Sequence, residues 1–195
     1  MKWMKVEINL LFLFNYNKKY NTNNGDYMYY LNCFIFYSII GYLLETGLGI
    51  VTKTNYNSGF MNGPWTPVYG IGVVAILLLS HYFFMNLHMP RWLETIIVFF
   101  IVGIFLSCIE LIGGILIEKN FNVVFWDYTK HKYHIGHYIS LEMTLIWGIA
   151  TVLFIYIINP LFEKIVSKIP LSITIVISII MFLDLIYTFT SNIKK

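Results

Sequence analysis

Five long runs of apolar residues, separated by polar and turn-forming segments, dominate the pattern of this chain. The runs cover residues 30–51, 67–86, 92–117, 138–158 and 170–190. Each is close to the roughly 20 helical residues that cross a bilayer core about 30 Å thick. None alternates between polar and apolar positions, as the strands of a membrane barrel do. The pattern therefore predicts an all-α fold, an integral membrane helical bundle with about five transmembrane helices.

Residues 1–27 differ from the rest of the chain. They contain one short apolar run, at positions 8–14, which is too short to span a bilayer, and no small-residue cleavage site follows it. We therefore expect an interfacial or disordered extension, with Met28 as an alternative start of translation. The membrane domain is predicted to cover residues 28–195.

Composition and charge agree with a membrane protein. Hydrophobic residues make up 58% of the chain and charged residues 12%, about half of the roughly 25% that is typical of soluble domains. The net charge of +3 is spread over loops and ends and forms no basic face, so we expect the lipid bilayer as surroundings and no nucleic-acid partner. Basic residues divide almost evenly between the two sides, and they do not fix the orientation.

Acidic residues inside the apolar runs are the main candidates for chemistry. An ionised carboxylate at the bilayer centre costs at least a few kcal/mol, so it should face the bundle interior, pair or become protonated. The predicted spans contain no Lys or Arg, which favours a bound cation or protonation at Glu45 and Glu110. The alternative is a structural carboxyl that bonds to a neighbouring helix. For Glu142, near the start of its run, hydration by headgroups is the favoured interpretation, and Glu94, also near the start of a run, is expected to reach the interface. Asp184 is the fifth acid within the runs.

Residues 59–70 form the most unusual segment of the sequence. Asn62-Gly63-Pro64 is a strong turn signal, and Trp65 and Tyr69 suit a membrane interface. We expect an ordered interfacial turn here. The alternative is a re-entrant lid over a cavity, since irregular backbone at membrane depth needs protein or water around it. Asn62, Trp65 and Tyr69 join Glu45 and Glu110 as candidate substrate- or cation-binding residues.

The first and third runs hint at an internal repeat. Glu45 lies beside Gly47, Glu110 lies near Gly113, and each run is followed by an aromatic loop and another apolar run. Two similarly oriented helical hairpins are therefore predicted, with chance similarity as the competing explanation. Repeats of this kind often place a binding site at their interface.

The connection at residues 118–137 holds a second polar group of side chains. Its candidate interface-loop residues are Trp126, Asp127 and Tyr128. Three histidines follow at three-residue spacing, namely His131, His134 and His137. Because Lys130 and Lys132 interrupt them and no Cys lies nearby, solvated histidines are expected more than a metal site. We predict no metal and no cofactor.

Several of these segments resemble the family called Putative ABC-transporter type IV, or CmpB-like. The resemblance covers about residues 28–190, and its specific part is the stretch from Asn62 to Gly70. It implies a small permease-type membrane protein. The segments that carry it are residues 37–45, residues 59–70, the Glu110 helix, Trp126-Asp127-Tyr128, Trp147-Gly148 and Asp184.

Two positions depart from the family pattern. Thr66 stands where the family usually has Cys, and Ile135-Gly136-His137 stands where it usually has an Asn-Gly-Arg-like stretch. If the family's Arg pairs with an acid there, His137 would form the same ion pair only when protonated.

Three functional hypotheses follow. The first is a transporter-like component of the cell membrane, which would need a separate ATPase subunit because the chain has no G-x-x-x-x-G-K-[ST] motif. The second is a membrane enzyme acting on lipid or a cell-wall precursor by acid–base chemistry. Its residues would be Asp127, His131, His134 and Glu142. The third is a non-catalytic accessory or sensor protein. Association into a homo-oligomer is compatible with each of the three hypotheses.

Overall fold

The computed structural model describes residues 25–53, 61–80, 82, 89–124 and 126–192, and the predicted N-terminal extension lies almost wholly outside them. Its helices are α1 (Gly25–Thr52), α2 (Pro67–Leu79), α3 (Arg91–Phe121), α4 (Leu141–Leu153), α5 (Asn159–Val166) and α6 (Leu171–Asn192). A short antiparallel hairpin pairs β1 (His134–Ile135) with β2 (Ile139–Ser140).

The prediction of an all-α membrane bundle is confirmed. Four helical segments are long and apolar enough to cross a membrane: Tyr27–Thr52, Trp92–Phe121, Leu141–Val166 and Leu171–Ser191. Helix α2 is a shorter apolar helix, and Ser80 and Tyr82 continue it into a π-helical turn. Each of the five predicted runs therefore contains a helix, and the end of the second run lies outside the described residues.

The fourth run does not stop at Pro160, where the sequence suggested an end. Helix α4 continues through the π-helical turn Phe154–Ile158 into α5. Proline has no N–H to donate to the carbonyl four residues earlier, and its ring crowds that carbonyl. A wider turn accommodates this defect without ending the helix.

Helices α3 and α4 cross at two glycines. A Cβ on Gly103 would lie 2.9 Å from the Thr144 carbonyl oxygen, and a Cβ on Gly148 would lie 2.8 Å from the Phe99 carbonyl oxygen. Farther along the same pair, the hydroxyls of Ser107 and Thr144 are 2.8 Å apart. Close backbone approach and interhelical hydrogen bonds are what hold helices together in lipid, where hydrophobic burial gives little drive.

Helix α2 begins beside the middle of α1. The Thr66 N–H donates to the Ser38 carbonyl oxygen at 2.9 Å, and a Cβ on Gly70 would lie 2.3 Å from the Phe34 carbonyl oxygen. Ser38 precedes the end of α1 at Thr52 by 14 residues, which is about 21 Å of helix. The segment 61–66 therefore enters the bundle as irregular chain. Because these residues lie beside the middle of a membrane-length helix, we call them the re-entrant segment. The interfacial turn and the lid over a cavity both stay predictions.

Helix α6 runs parallel to α1 and is joined to it near its start. The Asn32 Nδ2 group donates to the carbonyl oxygens of Val166 and Ile169, both at 3.3 Å, and the Thr174 hydroxyl donates to Asn32 Oδ1. The last carbonyls of a helix have no partner within it, so Asn32 supplies donors at the end of α5. One side chain thus fixes α1, α5 and α6 at one end of the bundle.

The crossing of α3 and α4 predicts a position-dependent effect of side-chain size. Gly103→Leu should lower the free energy of unfolding by about 1–3 kcal/mol, because the backbone of α4 must move away. Gly113→Leu on the same helix is the matched control, since a Cβ there meets nothing within 4 Å. Thermal unfolding in detergent micelles would measure both. Equal midpoints for the two variants would contradict this account of the crossing.

Candidate polar site within the bundle

Glu110 is a buried carboxyl on α3, only 7% exposed. Its Oε1 accepts a hydrogen bond of 2.7 Å from the Tyr128 hydroxyl, and its Oε2 accepts one of 2.9 Å from Trp147 Nε1. The two donors come from the connection after α3 and from α4. Both carboxyl oxygens of Glu110 therefore have uncharged partners on different elements.

Glu45 is a half-buried carboxyl on α1, hydrogen-bonded to the hydroxyl of Tyr69 in the first turn of α2. The Tyr69 side chain packs against α1 at Gly41, where a Cβ would come within 2.4 Å of the ring. Only glycine leaves room for the ring at that place. The same ring lies edge-on to Trp147, with centroids 6.4 Å apart.

These contacts bring five side chains from five segments together, and we call them the carboxyl cluster. Its members are Glu45, Tyr69, Glu110, Tyr128 and Trp147. Glu45 lies seven residues before the end of α1, or about 11 Å of helix, and Glu110 lies eleven residues before the end of α3, or about 17 Å. In the part of the chain that the structure describes, the hydrogen bonds found at both carboxyls come from uncharged donors. Two acids without a cationic partner can hold a cation or protons.

The two helical hairpins share one arrangement. In each, a Glu near the end of the first helix meets an aromatic side chain near the start of the second, Glu45 with Tyr69 and Glu110 with Trp147. The hairpins run in the same direction, as the predicted repeat requires. The carboxyl cluster lies where they meet.

Asn62 and Trp65 do not reach the carboxyl cluster. Asp184 Oδ2 on α6 accepts from the Gly63 N–H at 2.9 Å and from Trp65 Nε1 at 2.8 Å. Nearby, Asn62 Nδ2 donates to the Thr188 hydroxyl at 2.8 Å. We call these contacts the Asp184 clasp. The clasp joins the re-entrant segment to α6. Of the three candidates from this part of the sequence, Tyr69 is the one that contacts the carboxyl cluster.

Two partners in these clusters were not assigned a role from the sequence. Trp147 was noted only within the family resemblance, although an indole N–H inside an apolar run must find an acceptor. Asp184 was noted only as an acid in a span and within that resemblance. Its signal was the turn segment at residues 62–65, whose unpaired donors require an acceptor from another element.

The three predicted interface-loop residues have different roles. Trp126 Nε1 donates to the Tyr138 carbonyl oxygen at 2.9 Å and braces the hairpin, whereas Tyr128 reaches Glu110. Asp127 is exposed and accepts from the Thr129 N–H at 2.9 Å, a bond that lowers the pKa of its carboxyl. Asp127 therefore stabilises a local turn and joins neither cluster.

The histidines of this connection turn to separate partners. His134 Nδ1 lies 2.6 Å from the Gly136 carbonyl oxygen, and His137 Nε2 lies 3.0 Å from Glu118 Oε2. His137 thus meets an acid at the position where the family usually has Arg. Among the described residues, no group of three or more His, Cys, Asp or Glu is placed to hold a metal ion.

His131 has two polar neighbours that resemble parts of a catalytic relay. Ser140 Oγ lies 3.2 Å from its Nδ1, and Glu142 Oε2 lies 3.5 Å from the same nitrogen. A serine–histidine–acid relay uses the two ring nitrogens separately, one for the serine and one for the acid. Both neighbours on one nitrogen do not form that relay, and the acid–base hypothesis for this connection stays a prediction.

Membrane-length apolar helices around buried carboxyls define an α-helical membrane protein. The chain belongs to the family described as Putative ABC-transporter type IV, which matches residues 32–192. That match includes the carboxyl cluster and the Asp184 clasp, and it confirms the resemblance drawn from the sequence. A search of curated proteins and a search of solved structures each found no match.

The shared acceptor in the Asp184 clasp predicts energetic coupling. Asp184→Asn and Trp65→Phe should each cost about 1–3 kcal/mol of stability, because each disrupts a hydrogen bond of the clasp within the bundle. The double variant should depart from additivity by about 0.5–3 kcal/mol. Denaturant unfolding in micelles would measure the cycle.

The matched control for this cycle pairs Trp126→Phe with Asp184→Asn. Trp126 donates to a carbonyl in the connection before α4, so its effect should add to that of Asp184→Asn within about 0.5 kcal/mol. Additivity in both cycles would show that the clasp does not couple the re-entrant segment to α6.

Proposed function

We propose that this protein is the membrane component of a transporter that crosses the cell membrane several times, and that the carboxyl cluster binds its solute. The observation that carries the proposal is that Glu45 and Glu110 bind, through Tyr69 and Trp147, to one aromatic contact between the two hairpins, with uncharged donors at both carboxyls. Transporters built from repeated helical units commonly bind solute at the interface of the repeats.

A cation fits this cluster better than an anion or a neutral solute. Loss of hydration in a medium of low dielectric disfavours an ionised carboxylate, and uncharged donors offset only part of that cost. A bound cation would offset the remainder through charge-assisted bonds. Small polar solutes with several donors remain the next class to test.

The energy for transport would come from another subunit. The family description is that of an ABC-transporter-type protein, while this chain has no phosphate-binding loop of the ATPase type. A separate ATPase is therefore the expected partner. Tyr128 supports such coupling, because it joins a connection outside the helices to Glu110 within them.

Neutralising either carboxyl should weaken solute binding. The purified protein would be titrated with Na⁺, K⁺, Ca²⁺ and a protonated diamine by calorimetry, followed by flux measurements in proteoliposomes. We expect Glu45→Gln and Glu110→Gln each to weaken binding of the active cation by about tenfold or more, which is about 1.4 kcal/mol. The loss of Coulomb attraction is the cause.

Glu163→Gln is the matched control for these two variants. Glu163 is a half-buried acid on α5, toward the opposite end of the bundle, and it is no member of the carboxyl cluster. Its substitution should leave binding unchanged. Equal affinities and fluxes in wild type and all three variants would remove the carboxyl cluster from the transport path.

A further inference from the structure

An apolar groove lies away from the carboxyl cluster, at the other end of the bundle. It has a volume of about 320 Å³ and runs between α1, α5 and α6. That volume falls within the range of about 300–1,000 Å³ found for ligand pockets. Its walls are mainly isoleucine, among them Ile35, Ile165 and Ile173, and Lys168 lies at its edge.

The polar side chains of Asn32 and Thr174 in the groove wall already form hydrogen bonds within the protein. Asn32 and Thr174 bond to each other, and Asn32 also holds the carbonyls of Val166 and Ile169. The remaining surface offers contact to an apolar chain. An empty apolar space loses dispersion contacts on its walls, so a hydrocarbon chain from the surrounding bilayer stabilises it by filling it.

Lys168 gives the groove a charge preference. This exposed residue lies in the connection between α5 and α6, where the chain leaves one helix and enters the next. Basic pockets between membrane helices bind anionic lipid headgroups, and Lys168 supplies one positive charge at the edge of this groove. The apolar walls therefore suit a hydrocarbon chain, and the ammonium group suits an anionic headgroup joined to that chain.

We propose that this groove binds an anionic phospholipid, with one acyl chain along the isoleucine walls and the phosphate paired with Lys168. The site is separate from the carboxyl cluster, and it does not depend on the proposed transport function. Its charge preference distinguishes it from the general contact that any membrane helix makes with lipid. A zwitterionic phospholipid offers the same chains but no net negative charge.

Native mass spectrometry of the full chain tests the proposal. The protein would be reconstituted in bilayers with equal amounts of phosphatidylglycerol and phosphatidylcholine and extracted into detergent micelles. It would then be released from the micelles in the mass spectrometer. Wild type should retain phosphatidylglycerol several-fold over phosphatidylcholine. Lys168→Gln should bring that ratio close to one, and Lys168→Arg should keep it. Ile173→Phe should reduce retention of both lipids by narrowing the groove.

Lys164→Gln is the matched control, because Lys164 is exposed one turn earlier and does not line the groove. It should keep the wild-type ratio. Equal retention of the two lipids by wild type would overturn the proposal, as would the same ratio in wild type and Lys168→Gln. An equal loss in Lys164→Gln and Lys168→Gln would also overturn it, since the effect would then be one of general charge. Circular dichroism and gel filtration would establish that each variant is folded.

Discussion

The lack of water in a bilayer core requires every polar group there to find its partner inside the protein. Three side chains meet this requirement at three places in the described residues: the end of α5, the re-entrant segment and the carboxyl cluster. Asn32 satisfies carbonyls at the end of α5, Asp184 satisfies donors of the re-entrant segment, and Glu110 accepts from a phenol and an indole. The polar residues within the apolar runs are therefore the points at which separate helices are fixed to one another.

The helices were predictable because apolar length alone indicates a span, and Pro67 marks the start of α2 as expected for a first-turn proline. The path of the segment before Pro67 was not predictable. Its acceptor, Asp184, lies 121 residues away from Gly63, and local turn signals do not say which distant side chain completes them. The carboxyls were found because charge is costly in lipid, whereas the role of Trp147 depended on helix register, which periodicity does not give.

The contacts that hold the helices in place are separate from the carboxyl cluster. Helix α6 and the Asp184 clasp hold the re-entrant segment, and the glycine crossing holds α3 against α4. These two supports fix the positions from which Tyr69 and Trp147 approach the carboxyls. The connection after α3 adds Tyr128 from outside the helices. A movement of that connection would change the hydrogen bonding of Glu110 directly, without any movement of the helices themselves.

The Asp184 clasp also sets an order for biosynthesis. Residues 61–66 leave the ribosome long before α6 does, because chains are made from the amino terminus. Until α6 is inserted, the Gly63 N–H and the Trp65 indole lack the acceptor that they have in the finished protein. The first hairpin is thus completed by the last helix. A nascent chain that stops short of α6 would expose an unfinished hairpin, a natural signal for the chaperones and proteases that survey newly made membrane proteins.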